Sequence, residues 1–150
     1  MAITRNDHWA LLLHEWIESK RDVVFSYDSS VGTDCCTFVA DAVKAMTGTD
    51  IAAAFRNQYT TQLGALKTIK TISDGTTVED VAVFVTNQFE MKELSTVKLA
   101  QRGDIVLFDG DEGQAMGIVS LNGRDALFVS DKGLNTLPVK ECRRAWRVGA

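Results

Sequence analysis

The chain has 150 residues, 45% of them hydrophobic and 24% charged, with a formal net charge of −4. Its length suits one domain, 1–150, whose core needs neither a disulfide framework nor a metal. An acidic balance argues against general nucleic-acid binding, which draws on a basic surplus, and no apolar run approaches the ~18 residues of a membrane span.

The first expected helix follows Asn6 or Asp7, either of which can cap the orphan N–H groups of a helix start. Trp9, Leu12, Leu13, Trp16 and Ile17 then fall at i, i+3, i+4, i+7 and i+8, a single apolar stripe. Lys20 and Arg21 close this helix, where cations suit its dipole. The N-terminal segment starts polar and lacks an A-x-A-like cleavage site, so no secretory signal is expected. Residues 23–27 read as a short extended piece and 28–33 as a polar loop. Asp34 is a plausible cap for a second helix, Cys35 to about Met46, with Cys35, Phe38, Val39, Ala42, Val43 and Met46 on one face. Gly48 suits its C-terminal stop.

From Thr49 to Ile72 the pattern is helical but broken, with short helices expected over 50–59 and 62–69. A third long helix is expected from Thr76, where T-T-V-E matches a capping box with Glu79 at the third position. Val78, Val81, Ala82, Val85 and Phe89 keep its period. Beyond about residue 95 the pattern becomes strand-like. Residues 104–108 form an apolar run, and 115–121 and 124–129 are joined by Asn122-Gly123, a two-residue hairpin signal. Asp131-Lys132-Gly133 marks the next turn, before 134–139 and a terminal strand over 142–148. Helices first and antiparallel strands second make an α+β fold.

Three cysteines, Cys35, Cys36 and Cys142, give neither a disulfide framework nor zinc spacing, so no metal or cofactor is expected. The informative stretch is T-D-C-C-T-F-V-A-D-A-V, 33–43. A cysteine in the first turn of a helix meets unpaired N–H groups, which favour thiolate and lower the thiol pKa. Cys35 holds that position. The alternative is that both cysteines pack as small apolar side chains.

Asp34-Cys35 at a helix start, R-G-D-I-V-L-F at 102–108 and A-M-G-I-V-S-L-N-G at 115–123 together resemble the NlpC/P60 group of papain-like cysteine peptidases. That group shows D-C-S-G, then G-D-L-V-x-F, then H-V-G-I-Y. The chain is more similar to small phage and prophage tail-associated relatives of the group. The shared features are a helix bearing Trp9, the run Asp34-Cys35 to Asp41, Thr47-Gly48-Thr49-Asp50, Gly133-Leu134 to Pro138, and Cys142 to Val148. The resemblance implies N-terminal helices packed on a C-terminal antiparallel sheet, with Cys35 in the nucleophile position.

The departures carry as much weight. The position of the peptidase histidine falls on Ala115, and a methyl group cannot accept a proton. The orienting residue would fall near Val129 or Ser130, where neither histidine nor asparagine stands. Asp34, Gln114 and Ser130 are expected near the cleft, but Gln114 cannot act as a base near neutral pH. Both histidines, His8 and His14, precede the cysteine helix, so an ordinary Cys–His hydrolase is excluded unless His14 folds over the cleft or a partner supplies the base.

Lesser signals read simply. D-G-D-E-G at 109–113 lacks the glutamate a calcium loop needs and reads as a hairpin tip. Arg102-Gly103-Asp104 introduces a strand. Lys140, Arg143, Arg144 and Arg147 form a basic terminal strand, either an edge protected by charge or a docking surface for an acidic partner. The resemblance implies a structural or assembly component of a phage tail near its tip, contacting tip or hub proteins, carried in the virion and assembled in the host cytoplasm. Two other expectations are a cysteine amidase or peptidase acting on peptidoglycan during DNA entry and a module that binds cell-wall peptide without cutting it.

Overall fold

Helices precede strands in this computed structural model, which describes residues 2–149. The helices are α1 (Trp9–Ser19), α2 (Cys35–Thr47), α3 (Gln62–Ser73) and α4 (Val78–Gln88). The strands are β1 (Ile105–Gly110), β2 (Gly113–Val119), β3 (Asp125–Ser130), β4 (Gly133–Pro138) and β5 (Arg144–Trp146), in one antiparallel sheet of order β4-β3-β2-β1-β5. The fold is α+β.

Alternation along the strands builds two cores. Ile105, Leu107, Met116, Ile118, Leu127 and Val129 face the helices and pack with Leu13, Phe38, Val43, Met46 and Val85. Val106, Val119, Ala126, Phe128 and Ala145 face the other side, where Val139 and Cys142 pack against them. Helix α2 is the spine of the first core. Phe38, Val39, Ala40, Ala42, Val43 and Met46 are all buried, Asp34 caps the first turn by accepting from Thr37 N at 2.9 Å, and Gly48 ends the helix at φ 82°. Its left-handed conformation suits glycine.

Several local expectations are corrected. Neither Asn6 nor Asp7 caps α1. His8 occupies the cap position without a side-chain bond, and Trp9 N donates instead to the carbonyl of Asn6 at 3.0 Å. Residues 51–57 form turns rather than a helix. Asp50 accepts from Ala52 N there and binds Arg56, and Asn57 then adopts φ 64°, which a continuing helix does not allow. The capping box of α4 lies one residue later than expected, with Thr77 as cap and Asp80 at the third position. Asp80 wins because its carboxylate also takes the N–H of Thr76, while Glu79 is drawn to the sheet.

The hairpin turns differ too. Ser120 N donates to Asp125 O, so Asn122-Gly123 lies within a four-residue connection, 121–124. Asn122 Oδ1 organises it by accepting from Arg124 N, Asp125 N and Ser120 Oγ. The tight turns are at Asp111-Glu112 and Asp131-Lys132, each followed by a positive-φ glycine, Gly113 at 120° and Gly133 at 110°. The 109–113 motif is therefore the tip of the β1–β2 hairpin.

Asp104, fully buried at the entrance to β1, ties the two ends of the chain together. Arg5 Nη2 donates to its Oδ1 at 2.9 Å, Val148 N to the same oxygen at 3.1 Å, and Arg147 Nε to its Oδ2 at 2.9 Å. The Arg102-Gly103-Asp104 tripeptide is accordingly a structural corner.

Candidate functional site: the cleft at Cys35

Two helix starts face one another across a cleft of about 420 Å³. The first turn of α2 brings Asp34, Cys35 and Cys36, and that of α4 brings Thr77 and Val78. The β1–β2 hairpin supplies Glu112 to Met116, and α3 forms one wall with Ala65, Leu66 and Ile69. Phe25, Tyr27, Tyr59 and Val129 complete a largely apolar lining.

Asp34 is 6% exposed. One carboxylate oxygen caps α2 through Thr37 N and also accepts from Thr37 Oγ1 at 3.1 Å. The other accepts a short hydrogen bond from the Tyr59 hydroxyl. Burial and the neighbouring carboxylate push the Tyr59 phenol well above its usual range, so Tyr59 is a fixed donor. Tyr59 was not singled out from sequence. It lies in a segment whose pattern reads as helical, and only the tertiary fold brings it back to a residue 25 positions earlier.

The Cys35 thiol does not follow its helix position. Burial pushes it up to about 11 and the Asp34 carboxylate adds to the rise, while the N–H groups of Met116, Cys35 and Cys36 only partly oppose them. The expected lowering by the helix start is overturned because desolvation of a thiolate outweighs the partial charge of a few N–H groups. Cys36 is also raised well above its ordinary value, again chiefly by burial. Cys142 lies in the second core and is pushed up to about 11.

The other sequence-derived candidates separate. Asp34, Gln114 and Ala115 border the cleft with Cys35. Gln114 is occupied: its Oε1 accepts from Glu79 N at 3.0 Å and its Nε2 donates to Glu79 Oε1 at 3.2 Å, which fixes the start of α4 to the sheet. Ala115 packs with the second core, on the sheet face opposite Met116. Ser130 does not line the cleft. Its Oγ donates to Gly133 O at 2.8 Å and accepts from Lys132 N, closing the β3–β4 turn, and Val129 borders the cleft instead. His8 and His14 are exposed at α1, and neither reaches the cleft.

The arginines of the basic terminal strand are neutralised from within. Arg143 and Arg144 bind Glu79 at 2.5 and 2.8 Å, Arg144 binds Glu93 at 2.6 Å, and Arg143 binds Asp109 at 3.2 Å. Those guanidinium groups hold the Glu79 carboxyl down at about 2. The strand's outer edge is also covered, since Leu94 N donates to Ala145 O and Arg147 N to Lys92 O.

The chain belongs to the family described as a domain of unknown function, DUF6950, which it matches over residues 4–148. No curated protein matches it. The matched span takes in both segments clasped by Asp104 and the whole of the cleft. In this DUF6950 chain the cleft offers a neutral thiol, a phenol locked to a carboxylate and an apolar floor. That set can hold an apolar or hydrogen-bonding group, but no imidazole is placed to take a proton from Cys35.

Proposed function

We propose that the protein is a structural or assembly component of a bacteriophage tail, near the tip, built on a papain-like NlpC/P60-type scaffold. On this reading the scaffold has kept the nucleophile position and lost the base. The observation that carries the reading is Cys35 at the start of α2, half-buried against the core, its thiol raised to about 11, and facing a cleft into which neither histidine projects. A cysteine hydrolase at neutral pH needs a thiolate or a base beside the thiol, and an α2 start packed on β2 supplies neither. The family resemblance along the chain supports the placement in a tail, with tip and hub proteins as partners and the virion as location. A second reading is favoured by the cleft itself. An apolar cavity of about 420 Å³ with hydrogen-bonding groups at its rim suits a module that binds cell-wall peptide without cutting it.

The test is release of soluble muropeptides from purified peptidoglycan by the wild-type protein and by Cys35→Ala, each shown to be folded by circular dichroism. No release by either is expected. Release by the wild type alone overturns the non-enzymatic reading. Saturable sedimentation with peptidoglycan, without release, selects the binding module. Mass spectrometry of gradient-purified particles tests the tail placement, since the protein is expected among virion components, and its absence contradicts that placement.

A further inference from the structure

Most arginines of this chain are matched in place: Arg5 and Arg147 by Asp104, Arg56 by Asp41 and Asp50, Arg143 and Arg144 by Glu79. Lys98, Arg124 and Lys140 are different. All three are exposed, and they rim one shallow recess of about 580 Å³ at the far end of the second core. Among the described residues none of the three forms an ion pair. Asp125, the carboxylate on the same rim, accepts from Asn122 Nδ2 at 2.8 Å. The recess floor is apolar, made by Val97, Ala100 and Val139.

This recess lies at the end of an open sheet edge. Strand β4 is the outermost strand beyond β3. Val139 N donates to Arg124 O, and the pairing register then turns the main-chain groups of Asn135 and Leu137 toward β3. Those of Leu134 and Thr136 therefore point out of the sheet. The 21–23 segment closes over the start of the edge at Gly133, and Pro138, lacking an N–H, ends it. The opposite edge, at β5, is covered by residues 92–94. No charged side chain interrupts the open one between Gly133 and Pro138, although charge is a common guard of strand edges.

We infer that this corner docks an extended acidic segment of a partner protein. The segment adds to β4 as a further strand through Leu134 and Thr136, and sets its carboxylates among Lys98, Arg124 and Lys140. Strand addition supplies the main-chain bonds, and the cations select the sequence. A nucleic acid offers no peptide N–H and C=O ladder to the edge, so it cannot add as a strand. The inference is independent of the tail reading and goes beyond it, because it rests on the other end of the sheet.

The experiment is amide hydrogen exchange by NMR on the full chain, alone and with each of three probes. The probes are a synthetic peptide of alternating Glu and Val, its Lys and Val counterpart, and a single-stranded oligonucleotide of equal negative charge. In the free protein Leu134 and Thr136 exchange faster than Asn135 and Leu137. The Glu peptide slows both, the Lys peptide does not, and the double variant Lys98→Glu/Lys140→Glu weakens Glu-peptide binding about tenfold or more. Both substituted side chains are exposed, so the fold is retained, which the unchanged exchange of core amides verifies. No slowing at millimolar Glu peptide overturns the inference, as does equal binding by the double variant. Stronger protection by the oligonucleotide assigns the corner to nucleic acid instead.

Discussion

Helices α2 and α4 begin on opposite sides of the same cleft, and their first turns carry ionisable groups that behave in opposite ways. At the start of α4, Glu79 meets Arg143 and Arg144 and its carboxyl is held down at about 2. At the start of α2, Cys35 meets apolar walls and the carboxylate of Asp34, and its thiol is pushed up to about 11. Both positions have the helix dipole in their favour. The dipole decides neither. Partners decide at α4 and burial decides at α2, which is why a cysteine at a helix start is not by itself an activated nucleophile.

The largest effect expected from breaking this contrast is at Asp34. Asp34→Ala removes the cap of α2 and strips the Tyr59 hydroxyl of its partner. The expected loss is about 2–3 kcal/mol in urea unfolding, and a loss below about 0.5 kcal/mol would show that the cap and the tyrosine bond are dispensable. Tyr59→Phe keeps the cap and removes one donor, with an expected loss of about 1.5–2 kcal/mol measured in the same way. Thr77→Ala, the matching change at α4, costs about 1 kcal/mol, because the exposed capping box leaves its released N–H groups to water. An equal loss at Thr77 and Asp34 would erase the contrast between a buried and an exposed helix start.

The smallest effect is in the acid limb of stability. Glu79 has a folded-state pKa below its ordinary value of 4.5, so its contribution is complete above 4.5 and is lost as pH falls toward about 2. Urea midpoints of the wild type and Glu79→Gln should therefore converge as pH falls through that window. Parallel curves would mean that Arg143 and Arg144 do not hold the carboxylate.

How far these features could be read from sequence depends on the range of the contacts that make them. Helix α2 was readable throughout, because its apolar period, the Asp34 cap and Gly48 are all local signals. The α4 cap was off by one residue because Thr76 and Thr77 each have an acidic residue three positions on. The choice between them is made by Arg144 and Gln114, which arrive from distant strands. The cleft was readable as Asp34, Cys35 and the neighbourhood of Gln114, but not in its chemistry. Tyr59 reaches Asp34 only through the tertiary fold, and desolvation of Cys35 depends on the walls supplied by α3, α4 and β2. Likewise the arginines of the terminal strand were visible in sequence, while the carboxylates that neutralise them lie 51 and 64 residues away. Ser130 looked like a cleft residue because alignment fixes position along a strand, whereas the turn after β3 determines what its hydroxyl meets.

The most direct test of the account is the ionisation of Cys35 itself, followed by thiolate absorbance and iodoacetamide reactivity in a Cys36→Ala/Cys142→Ala background. The account predicts a midpoint near 11 and slow alkylation at neutral pH that accelerates only as pH rises past the ordinary thiol value of 9. A midpoint below about 8, with rapid alkylation at neutral pH, would mean that Cys35 is an activated nucleophile and would contradict the non-enzymatic reading of the cleft.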